Sequence, residues 1–286
     1  MAGAPTLRDD RSVLTLTRRF VPVLLAGALL LPSAAPAAAF TRAPADPITP
    51  AVLAQSERDL VYLTNRQRAA LHLVAFQIDP DLMAIARARA EVMAATDLMS
   101  HTEPNGQKVF ARLDAAGLTW YGAGEILAWN RYPTEPLSVA ESIRAWMASP
   151  GHRAIMVSTG YNYVGYGAAV SASGKRYYAG VMAKEPDETG PWARFGATSK
   201  AAIDAGRARV TVRWAGGDTR LQVLTSGLRY FQVQRRYAGG AWMPWTLTTA
   251  THLTVTWTRG HDRDVRVRSR DRAGNWSAWR TIRVSL

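Results

Sequence analysis

Three polar residues occupy positions from which they could act together. His101 lies in LMSHTEPNG, Glu125 in YGAGEILAW and His152 in SPGHR. Two neutral imidazoles and a carboxylate can hold a divalent ion and leave one position open for water or ligand, and Zn²⁺ suits such N,N,O donors. Binding of an ion there would fade as the histidines protonate. Without a metal, the carboxylate would favour a protonated imidazole beside it, which serves to bind an anion. A metal-bound water or an imidazole base could also cleave a peptide or ester. Neither an H-E-x-x-H helix nor a G-x-S-x-G elbow is present, and Ser100 is a candidate nucleophile only by adjacency to His101. The chain has no cysteine, which excludes disulfides, thiolate metal sites and a cysteine nucleophile. Each residue also has a plainer reading. A histidine near a helix end more often caps or packs, and a lone strand glutamate usually faces solvent.

The elements around these residues are legible from periodicity. Glu57 to Phe76 places Leu60, Leu63, Leu71 and Val74 among polar residues, as in a helix. Asp79-Pro80-Asp81 breaks it, with Asp81 a plausible N-cap for a second helix carrying Leu82, Ile85, Ala86, Val92 and Met93. Gln107 to Ala116 reads as a third helix ended by Gly117, and Leu137 to Ala148 as a fourth stopped by Ser149-Pro150. Pro150 and Gly151 then fix where His152 points. Glu125 to Trp129, Val164 to Val170 and Arg176 to Ala183 read as strands, the last two joined by a turn at Gly174. Helices first and strands later, without βαβ alternation, predict an α+β domain with an antiparallel sheet.

One ordered set of motifs carries a family resemblance. It runs N-x-x-R (Asn65, Arg68), S-H-T, G-x-G-E, W-M-x-S-P-G-H-R and V-G-x-G. From Glu57 to Glu185 the chain resembles the CAP superfamily (cysteine-rich secretory proteins, antigen 5 and plant pathogenesis-related proteins), above all its secreted bacterial branch. The resemblance implies an α-β-α sandwich and a cleft lined by two histidines and, in fuller members, two glutamates. His101 matches the first histidine, Glu125 the first glutamate and His152 the second histidine. Ser149 stands where the second glutamate would be, Ile126 replaces an asparagine, and the last strand reads GVMA without the usual aromatic ending. Proteolysis has been proposed within this family but is not general to it.

After Glu185 the character changes. Residues 186–207 read as a linker, and residues 208–286 as short strands separated by AGGD, AGG, RGHD and DRAGN turns. That spacing predicts an all-β sandwich, and V-R-V-R-x-R-D-x-A-G-N-W resembles fibronectin type III-like modules of bacterial surface proteins. Six tryptophans fall here: Trp214, Trp242, Trp245, Trp257, Trp276 and Trp279. They read as core and edge packing, or as a sugar-stacking surface of an adhesin.

The N-terminus has the three parts of a secretory signal over residues 1–39: arginines, the apolar run Phe20 to Leu31, and Ala37-Ala38-Ala39. The apolar run is short for a membrane helix, which needs about 20 residues; an uncleaved anchor is the alternative. Residues 40–56 read as a linker. The formal charge of +13 is mostly arginine. It suits anionic partners such as wall polymers or lipid headgroups, or reflects coding bias alone. Without a nucleic-acid-binding fold or a basic-aromatic stripe, nucleic acid is not an expected partner. The expectation is a secreted, bacterial, non-enzymatic module for an extracellular ligand (wall polymer, lipid or glycan), with a hydrolase or an adhesin as rivals and no transmembrane span in the mature chain.

Overall fold

The structure, a computed structural model, describes residues 49–286. The expected signal segment lies outside the described residues. The chain divides between Lys184 and Glu185 into two compact units.

The first unit begins with α1 (Pro50–Ala70), where Thr49 Oγ1 accepts the Val52 N–H and Pro50 opens the first turn. The end of the expected linker is therefore helix, because proline at a helix start needs no amide partner. Leu60, Val61, Thr64 and Arg68 are buried, whereas Leu71 lies past the helix end and is exposed. Asn65 and Arg68 are structural. Asn65 clasps both backbone groups of Phe76. Arg68, fully buried, donates to the carbonyls of Val74, Met156 and Ser158 and lies 3.5 Å from the Phe76 ring centroid.

There follow β1 (Gln77–Ile78), α2 (Pro80–Thr96), α3 (Val109–Ala115), β2 (Gly122–Asn130), α4 (Glu135–Ala148), α5 (Pro150–Met156), β3 (Tyr163–Val170) and β4 (Arg176–Lys184). Asp79, not Asp81, caps α2, its carboxylate accepting the Leu82 N–H at 2.8 Å. The strand order is β1-β3-β4-β2. The sheet is antiparallel except that the two-residue β1 runs parallel to β3, so it is mixed. Alternate residues serve opposite faces. Ile126, Val164, Tyr166, Tyr178 and Met182 pack with Leu60, Val139, Ile143 and Trp146 of α1 and α4. Leu127, Ala169, Tyr177 and Ala179 pack with Ala90 and Met93 of α2. The result is three layers with helices on both faces.

The V-G-x-G pattern has a steric cause. A Cβ on Gly165 would lie 2.1 Å from the Leu82 backbone, and one on Gly167 2.2 Å from that of Ala86. Helix α2 therefore presses its main chain directly on β3.

The second unit is all antiparallel strand: β5 (Trp192–Ala202), β6 (Arg207–Gly217), β7 (Leu228–Tyr237), β8 (Thr246–Thr248), β9 (His252–Thr258), β10 (Arg263–Asp271) and β11 (Arg280–Val284). Sheets β11-β10-β7-β8 and β5-β6-β9 enclose Val210, Val212, Trp214, Phe231, Val233, Trp257, Val265 and Val267. The expected 186–207 linker thus contains a strand, since β5 pairs with β6 from Trp192 to Ala202. Being an edge strand with a register shift between Phe195 and Thr198, it leaves most of its residues in solvent and lacks clean alternation.

Candidate functional site

Glu125 sits in the middle of β2, on the face turned to α2. There it meets Arg89, which is fully buried although α2 is otherwise apolar on that side. Arg89 Nε lies 2.7 Å from Glu125 Oε1, its Nη2 donates to the Ser100 carbonyl at 2.7 Å, and its Nη1 lies 3.2 Å from Glu103. Arg112 of α3 closes the chain on Glu103, holding that carboxyl below its ordinary range despite burial. A buried carboxylate so paired avoids the large cost of an isolated charge.

His101 is placed by this network. It follows α2, one residue after the Ser100 carbonyl that Arg89 holds. Its Nδ1 lies 2.7 Å from Glu125 Oε2, and its side chain is 27% exposed. A carboxylate only accepts, so Nδ1 carries a proton, and Nε2 is the ring nitrogen turned away from Glu125. Ser100 Oγ accepts the Thr102 N–H at 3.0 Å, which makes it a turn residue.

His152 lies in a helix, not in a loop. Ser149 ends α4, its N–H reaching the carbonyls of Ala145 and Trp146, while its own carbonyl accepts the Arg153 N–H and opens α5. Pro150 takes the first position of α5, where its missing N–H costs nothing. The Ser149 side chain makes no capping bond. His152 stands in the first turn, half-buried. Burial first, and then the nearby His101, push its pKa down to about 4. It is therefore a neutral imidazole at pH 7.

The expected metal triad is not assembled as such. Among the described residues, three ligand atoms lie within 4.8 Å of one another only at Asp187, Asp218 and Asp271, in the second unit. His101, Glu125 and His152 form no such group, although Glu125 lies 2.7 Å from His101 Nδ1; its carboxylate is also paired with Arg89. Glu125 does not fit a ligand's role; the remaining donors are His101 Nε2 and the His152 ring. The aspartate set could coordinate a divalent ion. Its carboxylates also tie loops, accepting from the backbone of Thr189, Ser226, Gly227, Gly274 and Asn275. Burial raises the Asp218 pKa, and repulsion from Asp187 and Asp271 adds to this.

Arg89 and Glu103 escape a reading that looks for histidines. A signal existed for Arg89: it stands at an apolar-stripe position between Ala86 and Met93, where an arginine implies a buried acid.

Residues 61–182 match the sequence profile of the cysteine-rich secretory protein family, CAP. Uncharacterized protein YkwD of Bacillus subtilis (strain 168) is 30% identical over 124 residues, 43% of this chain and 46% of that protein, so the chain spans about half the length of this curated relative. Among solved structures, an outer surface protein from Borrelia burgdorferi aligns at a TM-score of 0.42 and 19% identity, over 46% of this chain and 93% of that one. An extracellular protein containing an SCP domain from Bacillus anthracis str. Ames aligns at 0.41 and 22%, over 49% and 45%. With its profile match over residues 61–182 and its three layers, the first unit has the CAP-domain fold.

Proposed function

We propose that residues 57–185 form an extracellular, non-enzymatic ligand-binding module whose cleft is organised by His101 Nε2 and the neutral ring of His152. The observation that carries this is the 2.7 Å contact between His101 Nδ1 and Glu125, itself backed by Arg89. It fixes Nδ1 as the nitrogen turned to the carboxylate and leaves Nε2 as the one a ligand could meet. Zn²⁺, where it binds, is held weakly by the two imidazoles, with Glu125 orienting His101 from behind in the manner of an outer-shell carboxylate. Location outside the cytoplasm rests on the signal features of residues 1–39. Among the described residues no helix is long and apolar enough to cross a membrane. Residues 208–286, with β5 added, are read as a fibronectin-III-like sandwich, which the division into sheets of four and three strands supports.

The test is calorimetry with Zn²⁺ on the full chain. Weak binding at neutral pH, lost on acidification as the imidazoles protonate, is expected. His152→Ala lowers the affinity at least tenfold. Unchanged affinity in that variant would sink the shared cleft. The same dyad also suits a general base, which favours a hydrolase as the second reading. Peptide or ester hydrolysis abolished by His101→Ala would put that reading first.

A further inference from the structure

The second unit carries a device that the cleft does not use. On β10, Val265 and Val267 point into the core, so Arg266, Arg268 and Arg270 share the outer face. Their guanidinium groups alternate with indoles. Arg266 lies 4.3 Å from the ring centroids of both Trp242 and Trp279, and Arg268 lies 4.6 Å from Trp279 and 3.9 Å from Trp276. Arg270 follows at 5.2 Å from Trp276. The expectation that the chain has no basic-aromatic stripe is thereby corrected. The stripe escapes the sequence because Trp242 comes from another loop than Trp276 and Trp279, and only the folded sheet interleaves them.

Three features decide what such a stripe can bind. First, its cations are not neutralised. Among the described residues no carboxylate lies within ion-pair distance of Arg266, Arg268 or Arg270. Gln234 and Gln232, neutral acceptors, take the Nε–H of Arg266 and Arg268, and the Gly274 carbonyl and Tyr230 hydroxyl take two N–H groups of Arg270. The mutual repulsion is felt. Burial, and then neighbouring arginines, lower the pKa of Arg266 and of Arg268. Second, the indoles are already engaged. Trp279 and Trp276 each have two guanidinium groups over the ring, which compete with any sugar or nucleobase for the same π surface. What the stripe presents is N–H edges, such as both Nη groups of Arg268, which suit the oxygens of phosphate. Third, the spacing is regular. Alternate residues of a strand recur about every 6.8 Å, which suits a linear chain bearing one charge per short repeat.

We propose that this stripe of β10 is a docking surface for a linear phosphodiester polymer without aromatic bases, of the polyol-phosphate kind. An anion laid along it relieves the repulsion among the arginines and accepts N–H groups that have no protein acceptor. The assignment is independent of the cleft in the first unit.

The experiment is calorimetric titration of the full chain with poly(glycerol phosphate). About three neutralised charges predict a loss of roughly tenfold or more in affinity between 50 and 200 mM salt. Arg266→Gln/Arg268→Gln weakens binding at least tenfold. Arg209→Gln/Arg213→Gln removes the same charge from exposed positions on β6 and changes affinity less than about twofold. Equal loss in both variants means attraction to overall charge only and overturns the site. Tighter binding of an oligo(dT) of matched charge overturns the polymer class in favour of nucleic acid. Should the stripe variant fail to fold, nitrogen–proton spectra of the unaltered protein decide. The indole signals of Trp276 and Trp279 move on adding polymer; if they stay fixed, the proposal fails.

Discussion

Arg89 is the residue on which the buried network behind His101 depends, because one guanidinium serves Glu125, Glu103 and the Ser100 carbonyl. Arg89→Met should cost about 3–5 kcal/mol, since it leaves buried carboxylates without their partner; urea denaturation measures this. Adding Glu125→Gln to that variant should recover part of the loss, whereas two independent substitutions would only add. His152 predicts a pH dependence. Its folded pKa of about 4 lies below the ordinary 6.5, so the folded state binds fewer protons between those values. Stability therefore falls as pH drops from 6.5 to 4 and is unaffected above 6.5. The full shift would be about 3 kcal/mol; partial exposure of the ring reduces it to about 1–2 kcal/mol. His152→Gln should remove that part of the slope, as read from urea midpoints at pH 7 and pH 4.5.

At the scale of elements, the strongest constraint is the seat of α2 on β3. Gly165→Ala or Gly167→Ala would set a methyl group against helix backbone and should cost about 3 kcal/mol or more. Gly124→Ala is the informative contrast: its nearest neighbours are side-chain atoms of Ile155 at 3.1–3.3 Å, which can shift. It should cost clearly less in the same thermal melts. The V-G-x-G pattern was visible in the sequence, but its reason was not, because a glycine's need for space depends on an element about eighty positions earlier in the chain. The helices and strands that bury one face, such as α4 and β10, were legible from their period. Strand β5 was not, because an edge strand with a bulge loses the alternation that announces it. His101, Glu125 and His152 could be named from motifs, yet the turn of Glu125 toward Arg89 could not, since side-chain orientation in a buried network is settled by its partners.

At the scale of the molecule, the boundary at Lys184 has consequences for fragments. Residues 185–286 should fold alone, with one cooperative thermal transition. Residues 208–286 should not, because they lack β5 and with it Ala193 and Phe195 of the sandwich core. Comparable transitions in the two fragments would restore the 186–207 segment to a mere tether. Charge divides unequally as well. Residues 185–286 hold 17 Lys and Arg against 8 Asp and Glu, while residues 49–184 hold 13 against 11. On a cation exchanger at neutral pH the first fragment should therefore be retained to much higher salt than the second.

The junction at Ser149 carries a consequence for how this chain can vary. One residue closes α4 and opens α5, so there is no spare link between the two helices. Each added residue advances a helix by about 100° of rotation. A single insertion between Trp146 and Ser149 would find no loop to absorb it, and the extra length would emerge as a change of bearing for His152. Length is therefore as tightly constrained at this point as residue identity, although Ser149, Pro150 and Gly151 look like an ordinary surface turn.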